Sequence, residues 1–216
     1  MEYTRIIAVR HGETAWNVDT RIQGQLDIGL NPKGHWQAQQ VGKALAHEEI
    51  HHVYSSDLIR AHATAKAIAQ AVHDNGTKPV RLHQGLRERA FGTFEGQTWA
   101  DIETNWPDES RRWRQRDPTF APPGGENPVQ VMQRVEKTLA EIASQHLGEQ
   151  IVLVAHGGIM DMLYRLATQQ GIETARTWNL GNATINRLLW TPHSVTLVGW
   201  GDARHLDESV RDESSA

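Results

Sequence analysis

Cysteine is absent from the 216 residues, which removes disulfides, thiolate metal sites and cysteine nucleophiles together. Long apolar runs are absent too. Nothing approaches the roughly 20 residues a helix needs to span a bilayer. Neither sign of charge dominates: 22 Lys and Arg stand against 26 Asp and Glu, for a net charge of −4. That mildly acidic balance excludes a nucleic-acid surface working through bulk positive charge, and leaves room for a local basic pocket. Phenylalanine and tyrosine are scarce, at three each, whereas tryptophan reaches eight. The first residues, MEYTRIIAV, enter a β-like segment directly, without a basic-then-apolar leader. The expectation is a soluble, cytoplasmic protein. At roughly 100–200 residues per domain, with no internal repeat or linker in view, it reads as one domain over 1–200.

Three short β-branched runs stand out: Ile6–Val9, His52–Ser55 and Ile151–Ala155. Nearly continuous apolar runs of this length suit strands buried on both faces of a parallel sheet. Helical patterns lie between them. Pro32 to Ala46 has Pro32 in its first turn, and Asp57 to Val72 has Asp57 as its cap. Pro128 to His146 follows Asn127 as cap and carries Val131, Val135, Leu139 and Ile142 on one stripe. The alternation predicts an α/β fold, a mostly parallel central sheet flanked by helices on both faces. Thr184–Trp190 and Ser194–Trp200, separated by Thr191-Pro192-His193, predict a C-terminal edge hairpin. Residues 201–216 are charged and read as a flexible tail.

The stretch 97–125 differs in kind. Trp99, Trp106 and Trp113 recur every seven residues, interrupted by Pro107, beside Arg111, Arg112, Arg114 and Arg116. It reads either as a helical excursion packing its tryptophans on the body with solvated arginines outside, or as a lid whose arginines meet an anionic substrate.

Each strand run is followed by a cluster of one chemical character. Arg10-His11-Gly12-Glu13-Thr14 follows the first, Ser55-Ser56-Asp57-Leu58-Ile59-Arg60 the second, and His156-Gly157-Gly158 the third. In open α/β sheets ligands bind outside the carboxyl ends of the strands. Two imidazoles and two guanidiniums would therefore meet at one edge. Guanidiniums bind phosphate oxygens as a fork and stay charged, and an oriented imidazole can act as a nucleophile. Phosphoryl transfer needs those groups and a proton for the departing oxygen. Glu88 and Glu95 both lie in the right segment to carry that proton, and spacing alone does not choose between them.

The motif series resembles the histidine phosphatase superfamily, the phosphoglycerate-mutase-like fold, over about residues 4–200. It runs Val9-Arg10-His11-Gly12-Glu13-Thr14-Ala15-Trp16-Asn17, Gln23-Gly24-Gln25-Leu26-Asp27, Ser55-Ser56-Asp57-Leu58 with Arg60-Ala61, Glu88, Phe91-Gly92, Glu95-Gly96, Gly125-Glu126 and His156-Gly157-Gly158. The resemblance implies that His11 accepts the phosphoryl group and that Arg10, Arg60 and a protonated His156 line the phosphate pocket. It implies Glu88 as proton donor, Asn17, Gln23, Gly24 and Gly157 as substrate contacts, and a structural Glu95. It implies no metal and no cofactor, and a small phosphorylated substrate rather than a nucleic acid or a membrane. No oligomeric state follows from it. Phe91, Trp99 and Gln25 stand where cofactor-dependent mutases carry Tyr, Lys and Trp, and the chain is short before His156. It therefore resembles the phosphatase branch. Mutase activity is the alternative, and a non-catalytic binding protein on the same scaffold a second one. One departure is Asp161, where many relatives continue the second histidine motif with arginine. The substrates compatible with the lid stretch are sugar phosphates, phosphoglycerate derivatives, nucleotides or ribazole phosphate.

Two further motifs carry other readings. His47-Glu48-Glu49-Ile50-His51 matches a helical zinc-protease pattern, but it straddles a helix end and a strand start, so its histidines do not share a helical face. Asn75-Gly76-Thr77 and Asn182-Ala183-Thr184 match glycosylation acceptors, without meaning in a cytosolic chain.

Overall fold

The computed structural model describes residues 2–72 and 79–207, so the Asn75 acceptor motif lies outside the described residues. The chain runs β1 (Thr4–Arg10), α1 (Ala15–Val18), α2 (Pro32–Leu45), β2 (His52–Ser55), α3 (Ile59–Ala71) and β3 (Arg81–Leu82). It continues α4 (Trp99–Asn105), α5 (Pro107–Arg114), α6 (Pro128–Ala143), β4 (Gln150–Ala155), α7 (Gly157–Thr168), β5 (Ile185–Thr191) and β6 (Ser194–Asp202). Among the described residues no helix is long and apolar enough to cross a membrane.

One six-stranded sheet takes the order β3-β2-β4-β1-β5-β6. The pairs β1–β4, β2–β4 and β2–β3 are parallel, and the hairpin of β5 and β6 adds an antiparallel edge. The period-two alternation of strands divides the core. Ile6, Ala8, Ile151 and Leu153 pack on one face with the apolar stripe of α6 and with α7. Ile7, Val9, Val152 and Val154 pack on the other with α2 and α3. The expected α/β fold, a mostly parallel central sheet with helices on both faces and a C-terminal edge hairpin, is therefore the observed one.

Four local readings change. The helix after β2 begins at Ile59, not Asp57. Its cap Leu58 offers no side-chain acceptor, and the Ile59 N–H donates instead to Asp27 Oδ1 at 2.7 Å. Asp57 pairs with Arg87 through two bonds of 2.7 and 2.6 Å, so an ion pair with a distant segment displaces the local cap. Helix α6 stops at Ala143, and the chain turns through Gly148 at φ +84° while His146 reaches across to Tyr54. The tail reading fails for its first residues: strand β6 continues to Asp202, a 3₁₀ turn covers Arg204–Leu206, and Leu206 packs against the core cluster of α2 and α3. Residues 208–216 lie outside the described residues. Finally, the tryptophan repeat is split at Trp106, which ends α4 and precedes Pro107 at the start of α5. Pro107 cannot donate to a continuous helix, so the single helical face becomes two short helices.

Candidate active site

Register builds the site. Arg10 pairs with Ala155 at the carboxyl ends of β1 and β4, so the residues that follow, His11 and His156, emerge side by side. The His11 N–H donates to the Ala155 carbonyl at 3.0 Å, and the two imidazole centroids lie 5.1 Å apart. Both rings are buried, His156 completely. Arg60, on the first turn of α3, is equally inaccessible. Its guanidinium donates to the carbonyls of Gly24 at 2.6 Å and Leu26 at 2.8 Å, which fixes the loop carrying Gln23 and Gly24. Gly24 sits at φ +53°, where a Cβ would fall 2.1 Å from Glu95 Oε1. Only glycine meets both demands.

Several polar atoms at this edge are buried without a partner among the described residues: both ring nitrogens of His156, the Nε of Arg10 and of Arg60, and Oε1 of Gln23. Buried polar atoms are almost always hydrogen-bonded, so such a concentration marks a place where a ligand completes the bonding. His11 is different. Its Nδ1 lies 2.7 Å from the Gly12 carbonyl, which can only accept, so Nδ1 carries the hydrogen and Nε2 keeps its lone pair. Burial first, then the charges of Arg60 and Arg10, hold the His11 imidazole well below its ordinary value. His156 is held down likewise, by burial, Arg60, His11 and Arg10 in that order. Without a ligand, burial and the adjacent guanidiniums favour the neutral imidazole, whereas the protonated His156 expected from the sequence belongs to the phosphate-bound site.

A pocket of about 180 Å³ is lined by Arg10, His11, Asn17, Gln23, Gly24, Arg60 and Glu88, with Arg21, Ile22, Phe91, Trp99 and Trp113 completing its wall. Gly157 lies outside it and lines an adjoining chamber of about 920 Å³, which shares Arg10, Phe91, Trp99 and Trp113 with it. The two glutamates separate here. The Glu88 carboxylate faces the pocket and accepts from the N–H of Gly158, at the start of α7, at 3.0–3.1 Å and from the N–H of Arg89 at 2.8 Å. A Cβ on Gly158 would fall 2.4 Å from that carboxylate. Glu95 points into structure, accepting from the N–H groups of Gln25 and Phe91, both at 3.0 Å.

Sequence reasoning missed the part played by Asn182, read only as a glycosylation acceptor. Its Nδ2 donates to the His11 carbonyl at 2.9 Å and approaches Asn17 Oδ1 at 3.3 Å. The available signal was β5: an antiparallel strand enters the sheet at the edge that its parallel neighbours leave. Thr64 was likewise passed over as a site residue, and its Oγ1 accepts from the Gly12 N–H at 3.1 Å.

The stretch 97–125 contributes both to the packed body and to the chamber wall. Trp106 packs on Phe94, while Arg111 and Arg112 pair with Asp108 and Asp117. Trp99, Trp113, Arg114 and Arg116 line the chamber. Asp161 also lines it and holds Arg165 at 3.0 Å. As for metal donors, among the described residues one group, His52, His146 and Glu149, brings its ligand atoms within 4.8 Å of one another. It sits near the amino end of β2, remote from the pocket. The zinc-protease pattern falls in the turn between α2 and β2, as its sequence position required.

A sheet that delivers two histidines and two arginines to one buried edge defines a class, and comparison with known proteins names it. The family model of the histidine phosphatase superfamily (branch 1) matches residues 6–203. The chain belongs to that superfamily. It is 36% identical to phosphoglycerate mutase-like protein 4 of Arabidopsis thaliana, covering 97% of this chain and 90% of that one. It is 35% identical to a metal-independent phosphoserine phosphatase of the same plant, over 95% and 84% of the two chains. Among solved structures, a mycobacterial glucosyl-3-phosphoglycerate phosphatase complexed with VO3 superposes with a TM-score of 0.79 at 31% identity, over 92% of this chain and 99% of that one. These likenesses support an enzyme of phosphatase or mutase type.

Proposed function

We propose that the protein is a phosphomonoesterase that hydrolyses a small phosphorylated metabolite through a phosphohistidine on His11. The observation that carries this reading is the pair of imidazoles 5.1 Å apart, one with an oriented ring and a free Nε2, the other with both nitrogens buried and unpartnered. In the first step His11 Nε2 attacks phosphorus, the P–O bond to the alcohol breaks, and Glu88 gives the departing oxygen its proton. In the second step Glu88 takes a proton from water, the water oxygen attacks phosphorus, the P–N bond breaks, and inorganic phosphate leaves. Arg10, Arg60 and His156 meet the phosphoryl oxygens with donors already in place, so little reorganisation accompanies charge development. Asn17, Gln23 and Gly24 line the rest of the phosphate pocket, while Gly157 borders the chamber for the leaving group. Burial and then the arginine charges disfavour the His156 imidazolium; the arriving dianion opposes those charges and draws a proton onto the ring.

Phe91 and Trp99 give the wall between pocket and chamber an apolar character, which supports hydrolysis over intramolecular phosphoryl return. The segment 97–125 acts as the lid over this space. The test is trapping with a labelled phosphomonoester. Wild type yields an acid-labile, base-stable phosphoenzyme and His11→Ala yields none. Labelling of the variant at the wild-type level removes His11 as nucleophile. Assaying 3-phosphoglycerate for released phosphate against 2-phosphoglycerate separates phosphatase from mutase.

A further inference from the structure

We propose that the larger chamber is an anion-binding site for the leaving group, in which Arg176, assisted by Arg116, selects phosphomonoesters that carry a second negative charge. This rests on the phosphomonoesterase reading and deepens it, by naming the substrate class.

Size comes first. At about 920 Å³ the chamber falls within the range of roughly 300–1,000 Å³ that holds a whole small-molecule ligand, whereas the pocket beside the histidines, at about 180 Å³, takes little more than a phosphoryl group. The rest of the substrate lies in the chamber, against the aromatic wall of Trp99 and Trp113.

Charge comes second. Most arginines around the chamber are already engaged. Arg165 is neutralised by Asp161 and Arg114 by Glu103, while Arg89 donates to the carbonyls of Glu126 and Phe120. The acid Asp117 is taken up by Arg112. Two remain. Arg116 reaches only the Thr174 carbonyl, at 3.4 Å, and Arg176 makes no hydrogen bond or ion pair among the described residues. Arg176 lines the chamber together with Arg10, and its charge bears on that residue. A guanidinium held beside other guanidiniums without a counter-charge is poised for an anion.

Rigidity comes third, and it gives Asp161 a role. Arg165 is buried, orients its fork on Asp161, and donates to the carbonyls of Gly171 and Thr174, the latter at 3.0 Å. It also stacks over Trp178, which lies flat on Tyr164 with centroids 4.1 Å apart. The loop bearing Arg176 is thus clamped on both sides, and Asp161 is a positioning residue acting through Arg165.

The test uses two probes alike in size and differing in charge, 4-carboxyphenyl phosphate and 4-carbamoylphenyl phosphate. Wild type is expected to favour the carboxylate in kcat/KM by about tenfold at low ionic strength, the scale of one charge-assisted bond, with the ratio shrinking as salt rises. Arg176→Gln brings the ratio close to one, and Arg116→Gln lowers it. Asp161→Asn raises KM for the charged probe more than for the amide. Equal loss of kcat on both probes would make Asp161 merely structural. A wild-type ratio of one, or a ratio that survives both arginine variants, overturns the proposal. If neither probe is hydrolysed, it is the phosphomonoesterase reading that fails. Tryptophan fluorescence then measures the binding ratio of the same two probes, and the anion site stands or falls on it.

Discussion

Two histidine pairs lie at opposite ends of one sheet. At the carboxyl end, His11 and His156 are 5.1 Å apart; near the amino end of β2, His52 and His146 are 4.4 Å apart. Distance hardly distinguishes them, and His146 is about as inaccessible as His11, although His52 is only half-buried. Bonding does. His146 Nδ1 lies 2.7 Å from Glu149 Oε2 and its Nε2 lies 2.8 Å from the Tyr54 hydroxyl, which also accepts from Arg81 at 2.8 Å. His52 stands 3.6 Å from Glu149. Each group at that end has its partner within the protein. At the other end His156 has none among the described residues, and the guanidiniums of Arg60 and Arg10 bear on it. A satisfied cluster contributes to folding, whereas an unsatisfied one costs folding free energy and is retained for what binds there.

The largest effect expected from this contrast is a double dissociation. His156→Ala should lower kcat/KM on phenyl phosphate by about 10²–10³-fold, the usual loss on removing one preorganised donor. It should leave the melting temperature nearly unchanged, because the deleted nitrogens bond to nothing. His146→Ala should do the reverse, leaving phenyl phosphate turnover within about twofold. Its cost is stability, about 2–3 kcal/mol, because it takes away the acceptor of the Tyr54 O–H and the nearer partner of Glu149 and leaves a cavity. Parallel thermal melts and steady-state assays decide. Similar profiles for the two variants would erase the distinction.

Arg60 offers the next effect. Its fork holds the Gly24 and Leu26 carbonyls while Nε stays unpartnered at the pocket. Lysine keeps the charge and loses the fork. Arg60→Lys should therefore cost about 10²-fold in kcat/KM, measured on the same ester, and restored charge alone should not rescue it.

A smaller effect is a pH dependence of stability. Both site histidines are held below their ordinary value in the folded protein, chiefly by burial. Above about pH 6.5 they are neutral in both states and contribute nothing; below it the unfolded chain takes up protons that the folded site refuses. Stability therefore falls as pH drops through and below about 6.5. The melting temperature should decrease from pH 7.5 to 5.5 by several degrees, less so in His156→Asn, and saturating phosphate should offset more at 5.5 than at 7.5. An identical decline in the variant would assign the dependence to other groups.

The sequence made the strands, the switch from strand to helix after each, and the basic character of the strand exits legible, because period-two burial and residue type are local properties. Spacing alone narrowed the donor only to Glu88 or Glu95, and the family resemblance chose Glu88, since the contact that separates them, a carboxylate at the N-terminus of α7, is 70 residues away. Asn182 stayed hidden because its role depends on β5 running antiparallel to β1, which no local pattern states. The cap of α3 was misassigned for the same reason: a carboxylate 32 residues distant, Asp27, displaced the adjacent one.

The smallest effect sharpens the satisfied end of the comparison. Arg81 donates to the Tyr54 hydroxyl and lies 5.5 Å from its ring centroid, on the short edge strand β3 where its side chain is solvated. Removing it leaves the hydroxyl still bonded to His146, so the buried group is never orphaned. Arg81→Ala should cost about 0.5–1 kcal/mol, the net value of one exposed hydrogen bond with a weak cation–π contribution. For a chain of this size that is a melting-temperature loss of roughly 1–4 °C. Turnover should not change. A loss as large as that of His146→Ala would mean that the tyrosine depends on Arg81 for its orientation, and that the histidine cluster is held from the sheet edge rather than from within.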